Sequence, residues 1–259
     1  VEIAMESPRP PDRLRRRLLL AGAALPAACA QVPLLPPPAT PPPPPRVSVG
    51  QRWRYETIDL FRRARVGELS AEVVRNTSEA SNSALPAGMR RPPGYAAPLI
   101  VALTDERGAP IGEEQWARPW DVIVDLSYDM PQIFEAPMPL LPDRLEPGAR
   151  RNDVTFYSVP NSSGRFWWDQ RLRAIGWERV EVPAGRFDAL RVERFINFQH
   201  SDTWREHPFR IDTLWYAPEV GRWVQREWTG RYRWPGGRRP VEADEDRVRW
   251  RLLEWQPGR

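Results

Sequence analysis

Apolar and charged residues alternate one by one through much of this chain, and that period of two limits what can fold from it. In Arg52-Trp53-Arg54-Tyr55-Glu56-Thr57 aromatics take every second place between charges, and Arg247-Val248-Arg249-Trp250-Arg251-Leu252 repeats the pattern near the other end. Such a segment presents one apolar face as a strand and none as a helix. No stretch keeps apolar residues at helical spacing beyond about two turns before a Pro or Gly interrupts it, so any helix is expected to be short. The chain carries 31 Pro and 16 Gly in 259 residues, enough to punctuate many short strands.

Turn chemistry predicts where those strands reverse. Val182-Pro183-Ala184-Gly185 places Pro second and Gly fourth in a tight turn between apolar flanks. Ala217-Pro218-Glu219-Val220-Gly221 separates two aromatic-rich segments, and Asp105-Glu106-Arg107-Gly108 follows Leu99–Leu103 in the same way. Residues 77–97 and 234–246 read as polar Gly/Pro-rich loops, and 138–142 as a crossing between two halves of the sheet. The expected fold is therefore all-β: a single antiparallel twisted sheet, sandwich or half-open barrel over residues 47–259, which hold all 13 Trp and both His.

Two segments precede that domain. Residues 1–30 combine Arg13, Arg15, Arg16 and Arg17 with an apolar stretch from Leu18 to Ala28 and small residues around Cys29, the layout of a secretory signal. The stretch is shorter than the roughly 20 residues that span a bilayer as a helix. Ala28-Cys29-Ala30 offers a cut after Ala30. Leu25-Pro26-Ala27-Ala28-Cys29 resembles a lipoprotein box in which Leu25 stands four residues before Cys29 instead of three. Arg15-Arg16-Arg17-Leu18-Leu19 fits either a twin-arginine signal or an ordinary basic leader. Residues 31–46, QVPLLPPPATPPPPPR, are a Pro-rich linker whose composition favours polyproline II. At about 3.1 Å per residue it would reach roughly 50 Å from an anchor at Cys29. The expected location is the periplasm or the outer membrane surface, with Cys29 as the lipidation site and point of membrane attachment.

The chemical signals are sparse. His200, Asp202 and His207 are the one place where imidazoles and carboxylates lie close in sequence, but in an extended segment His207 points away from the other two, which argues against a shared metal. Asp121, Asp125 and Asp129 would line a helix, yet Val122, Ile123, Val124 and Leu126 favour a strand there. No G-x-S-x-G elbow, phosphate-binding glycine loop or paired C-x-x-C is present. No catalytic, cofactor-binding or metal-binding residue is assigned, and a non-enzymatic protein is expected. Interleaved Arg and aromatics, as in Gly230-Arg231-Tyr232-Arg233-Trp234, would suit nucleic acid. The charge balance opposes it. The net +4 includes +2 from Arg9, Arg13, Arg15, Arg16 and Arg17 against Glu2, Glu6 and Asp12, so the remainder carries only +2 and its Arg must be matched by nearby acids. The tryptophans either fill a core or, lined along a groove, suit sugars or apolar ligands.

The order of Gly50-Gln51-Arg52-Trp53-Arg54-Tyr55, Val182-Pro183-Ala184-Gly185-Arg186-Phe187 and Leu214-Trp215-Tyr216-Ala217-Pro218-Glu219-Val220-Gly221 resembles uncharacterised exported bacterial β-rich proteins, among them lipoproteins of unknown function. In that group a VPAGxF hairpin precedes a WYAPxxG hairpin. The resemblance implies a twisted antiparallel sheet, curled toward an open barrel, and no functional residues. The leading expectation is an exported envelope protein that binds a protein, lipid or glycan partner or contributes to envelope assembly. A carrier holding a lipid or other apolar ligand in a barrel cavity is the alternative, and a hydrolase of an envelope polymer the third.

Overall fold

The computed structural model describes residues 33–76, 99–236 and 240–258. Residues 1–30, with the expected signal and Cys29, lie outside the described residues, as does the loop expected at 77–97. From Leu34 onward the chain forms one unit. Its strands are β1 (Arg52–Asp59), β2 (Ala64–Asn76), β3 (Leu99–Asp105), β4 (Pro110–Arg118), β5 (Asp121–Asp125), β6 (Gln132–Pro139), β7 (Arg150–Ser158), β8 (Phe166–Val182), β9 (Gly185–Phe198), β10 (Glu206–Ala217), β11 (Arg222–Trp234), β12 (Val241–Asp244) and β13 (Val248–Gln256), and no helix occurs among the described residues.

The all-β, antiparallel expectation holds, but the sheet is neither open nor a sandwich nor a half-open barrel. It closes. Strands β1 to β10 pair in sequence, β1 then pairs with β13, β13 with β11, and β11 with β10, which completes a ring of twelve strands with β12 attached outside it to the end of β11. Closure rests on pairs of very different sequence separation. Thr213↔Glu227 in β10–β11 belongs to a local hairpin, whereas Arg54↔Glu254 in β1–β13 joins the two ends of the domain. Closing the ring removes the free edges that an open sheet of this length would expose.

The three expected hairpins are present. Val182 faces Gly185 across the β8–β9 turn, and Gly185 takes a φ of 136°. Gly221, at φ 71°, donates its N–H to Ala217 O at 3.0 Å in the β10–β11 turn. In the β3–β4 turn Asp105 Oδ1 accepts from the N–H groups of Arg107 and Ala109 at 2.9 and 2.8 Å. The segment 234–246 was expected as loop throughout. Instead β12 forms within it, paired with Arg231–Trp234 of β11. The crossing expected at 138–142 begins as the end of β6 and continues into buried Leu140 and Leu141.

Strand directions define two ends of the barrel. The root is where Val47 and Gly50 lead into β1 and where the β8–β9 and β10–β11 turns lie. The mouth is where β1 ends and where the β9–β10 connection and β12 lie. From Leu34 the Pro-rich segment is held to the wall near the root instead of standing off as a free spacer. Leu35 N–H donates to Trp177 O at 2.7 Å, and Leu34 packs where a Cβ on Gly176 would come within 2.9 Å of it. Val47 is buried, and its carbonyl accepts from Asn76 Nδ2 at 2.7 Å.

The interior is filled in three levels. At the root, Trp120 meets Trp53, Trp116 and Trp223 edge to face at 6.0, 5.1 and 5.2 Å. Trp120 holds a left-handed φ of 67°, which costs about 1 kcal/mol, and three aromatic contacts worth roughly 0.5–1.5 kcal/mol each offset it. In the middle, Arg194, Asp212, Arg226 and Gln170 are fully buried, with the Arg226 guanidinium carbon 5.3 Å from the Trp223 ring centroid. The third level, at the mouth, is a cup.

Candidate functional site

Alternation along the strands explains why charge lies inside. Val192, Arg194, Ile196 and Phe198 of β9 share one face, as do Arg210, Asp212, Leu214 and Tyr216 of β10, and that face is the interior. Buried guanidinium groups need partners, and the middle level supplies them. Asp212 Oδ2 accepts from Arg194 Nη1, from Arg226 Nη2 at 2.8 Å and from Tyr128 OH at 2.9 Å, while Oδ1 accepts from Arg226 Nε at 3.1 Å. Gln170 Oε1 accepts from Arg194 Nη2 at 2.7 Å, and Ser127 Oγ accepts from Arg226 Nη1 at 2.6 Å. Burial by itself would raise the Asp212 carboxyl, but Arg226 and Arg194 outweigh it and hold the group below the ordinary carboxylate range. Toward the root, Glu114 Oε2 accepts from Arg222 Nη2 at 3.1 Å. There burial outweighs the guanidinium and pushes Glu114 up to about 7, with the neighbouring Asp125 adding to the rise.

Above the middle level lies the cup, with a volume of about 390 Å³. Trp228 and Trp250 stand edge to face at 5.1 Å, and Tyr128 meets Trp228 at 5.8 Å. Tyr232, Thr57 and Val248 complete the wall, and the charged lining is Asp129, Arg205, Arg210, Asp244, Glu245 and Asp246. Arg210 stacks over the Tyr128 ring, its guanidinium carbon 3.7 Å from the centroid. Its Nε donates to Glu245 Oε2 at 3.0 Å, and Nη2 lies 3.0 Å from the same oxygen. Glu245 reaches Arg210 because residue 230 is glycine: a Cβ there would stand 2.5 Å from Glu245 Oε2. Burial raises the Glu245 carboxyl more than Arg210 lowers it, and burial likewise pushes the Tyr128 hydroxyl up to about 12.

The residues singled out in the sequence scatter. Asp121 is in β5 and pairs with Arg118, Asp125 is buried and accepts from Ser127 N–H at 2.8 Å, and Asp129 alone reaches the rim of the cup. A strand, not a helix, carries the first two, which is why the four-residue spacing brings nothing together. His200 and His207 do not act jointly. His207 is exposed at the start of β10, whereas His200 is buried with Nδ1 accepting from Asp202 N–H at 2.8 Å and Nε2 facing Asp129 Oδ2 at 3.9 Å. Burial, with Arg205 nearby, holds His200 below its ordinary value. Its one lone pair is taken by a backbone amide, so it offers no base to a substrate. Among the described residues no group of three or more His, Cys, Asp or Glu is placed to hold a metal ion.

The outer wall carries a lattice of ion pairs. Arg52 meets Glu72 at 2.9 Å, Arg54 meets Glu254 at 2.8 Å, Arg249 meets Glu227 at 2.7 Å and Arg251 meets Glu56 at 2.6 Å. Arg231, from the segment that also suits nucleic acid, joins these pairs through Asp244 at 2.9 Å. They make a water-facing wall, since each basic group turned to lipid at the bilayer midplane would cost about 2–4 kcal/mol. The outer depressions include a groove of about 350 Å³ lined by residues such as Arg52, Ser70, Ala102 and Trp255.

The cup residues Tyr128, Arg210, Trp228, Glu245 and Trp250 were not assigned from the sequence. The signal available was charge on the apolar parity of successive strands.

No family model matches the chain, and no curated protein does. Two solved structures are similar to it in outline. One is "a putative lipoprotein" from Parabacteroides distasonis, at a TM-score of 0.44 and 16% identity, covering 81% of this chain and 96% of that one. The other is "a putative exported protein with YmcC-like fold" from Bacteroides fragilis, at a TM-score of 0.43 and 14% identity, covering 81% and 97%. Likeness at this level bears on neither ligand nor partner.

Proposed function

We propose that this chain is an exported envelope protein without catalytic activity, whose barrel mouth binds a glycan component of the envelope. The observation that carries this is the cup, which joins the aromatic side chains of Trp228, Trp250 and Tyr232 to a rim of carboxylates and a guanidinium. Sugars present apolar ring faces and a belt of hydroxyls that both donate and accept, and this mixture of rings with Asp129, Arg205 and Asp246 matches them. The apolar-carrier alternative fits less well. It calls for a cavity walled by Trp and Leu, whereas the cup is lined by six charged residues and contains no Leu. Export is supported by the layout of residues 1–30, and attachment by Cys29. The chain enters the barrel at the root, so the cup opens at the opposite end from the Pro-rich segment.

Titration of the purified full chain with chitotriose and maltotriose, followed by tryptophan fluorescence and calorimetry, tests the reading. Saturable binding to at least one is expected, with Trp250→Ala weakening it about tenfold or more and Trp255→Ala, outside the cup, leaving it unchanged. Equal affinity in both variants, or no saturation by either sugar, would refute a glycan site in the cup.

A further inference from the structure

Arg210 is an unusual group to find at the floor of a binding cup. Its side chain is only 4% exposed, it is stacked on Tyr128, and among the described residues its Nη1 has no hydrogen-bond partner. The partner it does have comes from outside the twelve-stranded ring. Glu245 follows β12, its N–H donates to Gly230 O at 2.9 Å, and its carboxylate enters the mouth through the space left by the missing side chain of Gly230. A carboxylate delivered on a short external strap to a buried guanidinium has the geometry of an occupant, not of a wall residue. Its second oxygen, Oε1, makes no hydrogen bond, so the Arg210 fork is engaged through Nε and Nη2 by one oxygen alone. A guanidinium can accept a carboxylate through two parallel bonds, and that capacity is unused here.

We infer that Arg210 is a recognition group for a carboxylate on the ligand, a uronic acid in the glycan case, and that Glu245 is an internal stand-in which the ligand displaces. The inference rests on the glycan reading above and adds to it the acidic class of sugar. At Arg210 the ligand carboxylate takes the place of Glu245, and the displaced Glu245 stays beside Arg205, whose Nη1 already lies 3.9 Å from Oε1. Asp244 is meanwhile held by Arg231 at 2.9 Å, and Asp129 lies 3.5 Å from Arg205. Because Glu245 is tethered, it competes at an effective concentration in the millimolar range, so the wild-type protein is expected to bind acidic sugars weakly.

The test compares methyl β-D-glucuronoside with methyl β-D-glucoside, which share a ring and differ in the carboxylate, on the full chain by calorimetry. Glu245→Gln is expected to tighten the glucuronoside about tenfold relative to the glucoside. Adding Arg210→Gln should remove the gain, and this double variant also removes the buried pair together, which barrels tolerate better than losing one partner. Glu245→Asp, which keeps the charge and shortens its reach, should fall between wild type and Glu245→Gln and carries the test if the latter does not fold. If the glucoside binds but the glucuronoside gains nothing in either Glu245 variant, the stand-in role is wrong and the glycan site survives. An equal gain from Asp246→Asn would reduce the effect to rim charge and also overturn it. Binding of neither glycoside by any variant would remove the glycan reading and this inference together.

Discussion

Replacing Asp212 by Asn is expected to cost more stability than any other single isosteric change in the barrel. Among the described residues the carboxylate is the only anion that hydrogen-bonds Arg194 and Arg226, and all three side chains are 0% exposed. Asn keeps one acceptor oxygen and turns the other into a donor facing guanidinium N–H groups. With that oxygen in the place of Oδ2, the bonds from Arg194, Arg226 Nη2 and Tyr128 lose their anionic acceptor, and Arg226 Nε is left facing an N–H. Removing one partner of a buried pair costs about 3–5 kcal/mol, and here two cations are orphaned, so the upper end of that range is expected. Out of a typical total of about 5–15 kcal/mol, this would leave the barrel marginal. Urea unfolding followed by tryptophan fluorescence reads it as a lower midpoint with an unchanged slope. Changing the three together, Arg194→Leu with Asp212→Leu and Arg226→Met, should cost less than Asp212→Asn alone, because no charge is stranded. A loss under about 2 kcal/mol for Asp212→Asn, or a triple variant worse than the single one, would refute the view that this cluster is held by charge pairing.

Glu114 makes stability fall as pH rises. Its folded value of about 7 lies above the ordinary one, so its contribution is fully present below about pH 4.5 and is lost as pH rises through 7. Glu114→Gln should therefore gain on wild type by about 3 kcal/mol between pH 4.5 and 7.5 in paired denaturation curves, and a constant difference across that window would show the carboxyl to be ordinary. Cys29→Ser is expected to move the protein from the membrane fraction to the soluble periplasmic fraction, with loss of any diacyl mass on residue 29. An unaltered distribution, or a wild-type chain beginning at Gln31, would exclude the anchor.

The turn at Pro183-Ala184 was legible because proline and glycine act within four residues, and β1 was legible because alternation is local. Burial of Arg194 was not. Val192 and Ile196 on either side show that its face points inward, but a guanidinium there is tolerable only because Asp212 and Gln170 arrive from neighbouring strands. The same holds for Glu245, which the sequence places in a polar loop and the fold inserts beside Arg210.

The sequence by itself determined the period of the strands, the positions of the hairpins and the all-β class, since each depends on residues a few places apart. Whether the sheet stayed open was decided by the tertiary structure, because Arg54 meets Glu254 only when the first and last strands come together. Closure then converted the inward parity of Arg194, Asp212 and Arg226 into a dry charged layer and made the mouth above it, with Arg210 at its floor, a cup. Strand pairing across two hundred residues, together with the cost of stranding a charge away from water, sets what local pattern cannot.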